Sequence, residues 1–269
     1  MLRLPVVAGQ FYPADPQELT HLIQKFSAGE SAKEKVRVRA CMVPHAGYMY
    51  SGAVAGAVFS RILLPKKIIV LGVRHRPPGA DLAILSEGAW RTPLGDAAID
   101  AELAQQLKVA CPLLEEDSIA HRREHSLEVE IPFLQALDAG FSLVPIALGT
   151  LRYDELHELG LALGRVLKEN DDDILVVTSS DMNHYENDET TRVKDGRAIA
   201  KLEAVDPEGL HNVCREEKVS MCGLGPAVAM LTAMKELGVT RGEVVRYATS
   251  GDVSGDHDAV VGYAGMIFY

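Results

Sequence analysis

The apolar residues of this chain come in short runs that do not alternate, and helical patterns lie between them. IIVLG at 68–72 and ILVV at 174–177 leave no position to turn towards water. Strands of that kind are covered on both faces. The strand candidates are Val36–Val43, Lys67–Gly72, Leu82–Leu85, Phe141–Leu148, Asp173–Ser179, Glu243–Thr249 and Val260–Phe268. Asp15-Pro16-Gln17-Glu18 combines an N-cap, a proline at N1 and an early acid, with Leu19, Leu22, Ile23 and Phe26 on one face. Further helices fit Gly52–Leu63, Ala101–Val109, Leu127–Leu137, Asp154–Lys168, Thr191–Leu202, Pro207–Arg215 and Pro226–Leu237. Pro132 is expected to kink its helix or delay its start. This alternation predicts a three-layer α/β/α domain around a mostly buried mixed sheet. No repeat or linker interrupts it, so residues 1–269 are expected to form one domain, with the last two strands as candidates for antiparallel pairing.

The balance of 27 basic against 38 acidic residues gives a net charge of −11. That argues against nucleic-acid binding through a broad basic face, and against docking on an anionic membrane. No apolar run approaches the ~18 residues of a membrane span. Pro5, Gly9 and Pro13 break the start of the chain, which lacks a signal-peptide core. Cys41, Cys111, Cys214 and Cys222 lie far apart and form no C-x-x-C, so a reducing cytoplasm is the expected location. Gly29–Lys35 reads as a solvated loop and Asn170–Asp173 as an acidic turn.

Three histidines follow strand candidates. His45 lies in VPHAGYMYSG, His75 in IIVLGVRH, and His184 in ILVVTSSDMNHY beside Asp181. Ligands of open α/β sheets bind outside the carboxyl ends of strands, so these groups are expected to converge. Histidine, aspartate and cysteine also bind transition metals, and two imidazoles with one anionic ligand leave open positions for catalysis. The plainer alternative is that the histidines cap loops by bonding to backbone. His125 lies between Glu124 and Glu128, which would raise its pKa and suit it to acid–base work; otherwise it is a surface helix start. Cys222, ahead of a helix N-terminus, is expected to be a favoured thiolate. The other cysteines read as small buried hydrophobes. His21, His157 and His211 are expected on the surface, His121 and His257 in polar loops. There is no G-x-S-x-G, H-E-x-x-H or P-loop.

Six motifs in order, VPHAGYMYSG, LGVRH, WRTPLGD, EHSLEVEIPF, TSSDMNH and SMCG, after an opening AGQFYP, resemble the Memo family, whose microbial members are called AmmeMemoRadiSam system protein B. The resemblance covers nearly the whole chain. It implies a fold similar to the class III extradiol dioxygenases, which are non-haem iron enzymes. It implies a metal held by His45, His75 and Cys222, with Asp181 and His184 lining the pocket and His125 nearby. The thiolate replaces the extradiol carboxylate, so dioxygenase activity does not follow automatically. Arg76 stands where the eukaryotic pattern carries a second histidine. The expected function is a metal-dependent oxidoreductase, with Fe(II) foremost and Zn or Cu as alternatives, acting on a small molecule. The competing readings are a zinc hydrolase or lyase and a non-catalytic peptide-binding adaptor. The microbial name implies association with radical-SAM and AMMECR1-like proteins.

Overall fold

The computed structural model describes residues 1–28, 34–137, 140–170 and 174–269. The expected loop Gly29–Lys35 and acidic turn Asn170–Asp173 lie mostly outside the described residues. The strands are β1 (Leu2–Arg3), β2 (Ala40–Val43), β3 (Lys67–Val73), β4 (Leu82–Ile84), β5 (Ala89–Thr92), β6 (Gly95–Ile99), β7 (Glu115–Glu116), β8 (Ser142–Leu148), β9 (Ile174–Ser179), β10 (His184–Glu186), β11 (Gly242–Thr249) and β12 (Val260–Phe268). The helices are α1 (Pro16–Ser27), α2 (Tyr48–Ser60), α3 (Ala101–Ala110), α4 (Ser118–Arg122), α5 (Ile131–Leu137), α6 (Tyr153–Glu169), α7 (Asp188–Glu203), α8 (Pro207–Glu216), α9 (Leu224–Glu236) and α10 (Gly251–Ser254).

The sheet runs β1-β5-β6-β8-β3-β9-β2-β12-β10, with β11 beside β12 and β4 beside β8. It is mixed: β8, β3, β9 and β2 are parallel, while β12 runs antiparallel to both β2 and β11. Successive residues of the central strands serve opposite cores. Ile69, Leu71, Val144, Ile146 and Val176 meet Leu103, Leu159, Leu163 and Val228 from helices on one face. Ile68, Val70, Leu143, Leu175 and Val177 meet Leu19, Ile23, Val58, Phe59 and Phe133 from helices on the other. That is why the runs do not alternate, and each such side chain contributes roughly 1.5–3 kcal/mol by burial.

The edges depart from expectation in instructive ways. The first expected strand shortens to Ala40–Val43, and Val36 keeps only an isolated bridge to Ile62. Arg37 is exposed, so the chain leaves the doubly covered layer there, while Arg39 still bonds through its backbone to Phe268 and Val176. Asp15 caps α1 as expected, its carboxylate accepting from Gln17 N and Glu18 N at 2.9 Å. Pro132 delays its helix: a 3₁₀ turn at Glu128–Glu130 precedes α5, and the proline is its second residue. WRTPLGD forms the β5–β6 hairpin, which sequence reading left unassigned. No helix among the described residues is long and apolar enough to cross a membrane.

Candidate metal centre

β3, β9 and β2 are neighbouring parallel strands, so their carboxyl ends open on one edge. His75, Asp181 and His45 each follow one of those ends within two residues. Topology thus brings together residues far apart in sequence.

His45 is buried. Its Nδ1 lies 2.8 Å from Ser179 Oγ. That hydroxyl also lies 2.7 Å from the Ser126 carbonyl and 2.9 Å from Glu130 Oε1. A hydroxyl has one proton, and a carbonyl can only accept, so Ser179 donates to Ser126. The other two partners must then donate to Ser179. His45 therefore carries its proton on Nδ1, and Glu130 is a neutral acid. Burial agrees, pushing the Glu130 carboxyl well above its ordinary range. Burial, then the neighbouring His125 and His75, holds the His45 ring well below the usual imidazole range. Its Nε2 is a bare acceptor 3.1 Å from Cys222 Sγ.

His75 is tied off in the same sense by a carboxylate. Glu124 accepts its backbone N–H at 2.7 Å and its ring Nδ1 at 2.9 Å. Burial opposes the Glu124 charge, but these bonds and the Ser126 N–H bring its carboxyl down to about 2. Ser126 in turn exchanges hydrogen bonds with Val73 at the end of β3. Gly72 permits that approach, because a Cβ there would meet Leu127 and Ser126 within 2.7 Å.

His125 stacks on His75, with ring centroids 4.6 Å apart, and stands edge-on to His45 at 5.5 Å. Among the described residues, His45, His75 and His125 form the group able to hold a metal, with ligand atoms within 4.8 Å of one another. The donor set suits a divalent ion: three imidazoles, two of them with Nδ1 bonded away. Burial lowers the His125 pKa and outweighs Glu124, contrary to the expected rise. Glu128 is spent elsewhere, on Arg3, Tyr12 and the backbone of Val6 and Val7.

Cys222 touches His45 but lies outside the three-imidazole group. It precedes α9 as expected, yet burial and the Asp181 carboxylate push its thiol up. Gly223 is required beside it, since a Cβ there would lie 2.3 Å from Ser180. Asp181 accepts from His45 N at 2.8 Å, and burial outweighs that bond and the neighbouring His184, raising its carboxyl to about 6. His184 stands on β10, its Nδ1 3.0 Å from the Ser220 carbonyl. Its charge is felt by Asp181 and His45. His121 and His211 are buried rather than exposed, each ring bonding a backbone carbonyl, of Ala83 and Leu151.

A family description, "Memo-like protein", matches residues 3–267. The chain belongs to the Memo family. It is 42% identical to a MEMO1 family protein of Aquifex aeolicus, over 99% of each chain. It is 39% identical to one of Methanopyrus kandleri, over 100% of this chain and 99% of the relative. An uncharacterized protein of Escherichia coli K12, 15% identical, superposes with a TM-score of 0.55 over 86% of this Memo-family chain and all of its own, a likeness of fold.

Sequence reading missed Ser179, Ser126 and Glu130 in this Memo-family site. Ser179 and Ser126 sit inside the quoted motifs but carry no chemical signature of their own. Glu130 could have been found, as an acid in the otherwise apolar run VEIPF.

Proposed function

We propose that the protein is a metal-dependent redox enzyme of the non-haem iron, dioxygenase-like kind, acting on a small organic substrate. What supports this reading most is the pairing of His45 and His75, whose Nδ1 atoms are both engaged and which, with His125, bring ligand atoms within 4.8 Å of one another. Both would hold the ion through Nε2. Cys222, which the resemblance selects, or His125, which the spacing selects, would complete the set. Bound Fe(II) would supply open coordination positions and one-electron chemistry. Asp181, raised towards neutrality by burial, could take up or release a proton beside the bound substrate, with His184 and His125 as further carriers.

Three imidazoles are also a zinc donor set, which favours metal-assisted hydrolysis as the second reading. Anaerobic purification with metal analysis decides between them. Iron at near one equivalent with oxygen-dependent turnover supports the first, and tightly held zinc with oxygen-independent turnover sinks it. The proposal extends to a cytoplasmic pathway shared with radical-SAM and AMMECR1-like proteins, which co-purification from a microbial host would test.

A further inference from the structure

Beside the histidines lies a cavity of about 250 Å³ walled by Arg76, Arg122, Arg123, Pro77, Pro78 and Glu124. None of these three arginines makes a side-chain hydrogen bond or ion pair to a described residue. What sets them apart from other exposed arginines is that all three line one cavity. Arg3, Arg74, Arg91, Arg192 and Arg197 all find carboxylates, and the chain has an excess of acid over base of 38 to 27. The acids of the cavity wall and of the α4 cap are bonded elsewhere. Glu124 spends both oxygens on His75 and Ser126. Asp117 spends its own on the amides of Ala80, Ile119 and Ala120. The bond from Ala80 N to Asp117, at 2.7 Å, also ties the Pro77–Ala80 loop to α4, so both walls of the cavity are fixed to each other. Three guanidiniums with their donors free, on a joined framework, suit a planar or tetrahedral anion held by paired N–H bonds.

The cavity adjoins the metal centre. Glu124 is a wall of one and the support of His75 in the other, and Arg76 follows His75 directly. The Arg76 charge also reaches His125. We propose that Arg76, Arg122 and Arg123 bind the anionic end of the substrate, a carboxylate or a phosphate ester, and hold the rest of it towards His75. The proposal rests on reading the neighbouring histidines as the reactive centre, but the anion site can be measured without metal.

The probes are inorganic phosphate and acetate, titrated by calorimetry into the metal-free full chain at constant ionic strength. Arg76→Gln/Arg122→Gln/Arg123→Gln is compared with Arg37→Gln/Arg215→Gln/Arg241→Gln, which removes equal charge from exposed arginines elsewhere. The cavity variant should bind the better probe at least about tenfold more weakly, the control within about twofold of the parent. Phosphate binding tighter than acetate points to an ester, and the reverse to a carboxylate. Equal losses in both variants would reduce the effect to net charge and overturn the proposal. So would binding that survives in the cavity variant but vanishes in His45→Ala, which would place the anion on the histidines. Failure of the metal reading would show separately, as a parent chain that takes up no metal while still binding the probe.

Discussion

Glu124 holds His75 at two points, accepting its backbone N–H at 2.7 Å and its ring Nδ1 at 2.9 Å. One carboxylate therefore fixes both the loop and the tautomer, and leaves Nε2 as the only nitrogen free for a ligand. Glu124→Gln keeps the shape but places an NH₂ group against one of these donors. Metal affinity should fall by about 10–100-fold, with the far-ultraviolet circular dichroism of the fold retained. A metal titration showing parental affinity would separate Glu124 from the centre.

His45 is fixed through neutral groups instead. Ser179→Ala removes the acceptor for Nδ1–H, and should let the ring populate both tautomers. The ¹⁵N chemical shifts of the His45 ring in metal-free protein should then move from a distinct protonated and bare pair towards averaged values. Metal affinity should drop about tenfold. Glu130→Gln retains an N–H to donate to Ser179 and should leave the shifts close to the parent, whereas Glu130→Leu should not. Parental shifts in Ser179→Ala would refute the donor assignment.

The layered fold was legible because the central strands are buried on both faces, and double burial leaves an unbroken apolar run. The residues at their ends were legible for the same reason: once β2, β3 and β9 were read, His45, His75 and Asp181 had to lie near an edge. Two kinds of information were not local. The short strands β1, β7 and β10 span two or three residues, too few for a period. The sign of the His125 and Cys222 pKa shifts depends on burial, which outweighs the Glu124 charge and the helix terminus that sequence reading relied on.

Asp195 provides a pH test away from the histidine cluster. It accepts from Asn183 N at 2.9 Å and from Tyr247 at 2.7 Å, with His184 and Arg192 nearby. Burial outweighs these partners and raises its carboxyl to about 6 from 3.8. The folded state thus holds the proton more tightly than the unfolded one. The stabilisation is fully present below about pH 3.8 and is lost as pH rises through about 6. The change amounts to about 2–3 kcal/mol. Asp195→Asn should flatten the denaturation midpoint across that window, relative to the parent. An unchanged slope between pH 4 and 6 would remove Asp195 as its source.

Cys222 and His125 compete for the role of third ligand, and their chemistry separates them. Cys222 is the one cysteine of the four that is partly exposed, so it should be alkylated first in metal-free protein. Its raised thiol pKa means that the rate should be low at neutral pH and keep climbing beyond pH 9. Binding a metal through sulfur requires that proton to leave, so uptake should release a proton and protect the residue from alkylation. Cobalt substitution should then show a sulfur-to-metal charge-transfer absorption that Cys222→Ser abolishes, together with about a 10–100-fold loss of affinity. His125→Ala should leave that absorption in place. If cobalt binds without it, and His125→Ala rather than Cys222→Ser loses the metal, the centre is a three-imidazole site. The thiol would then be a neutral hydrogen-bond partner of His45, and the balance would shift towards the zinc reading.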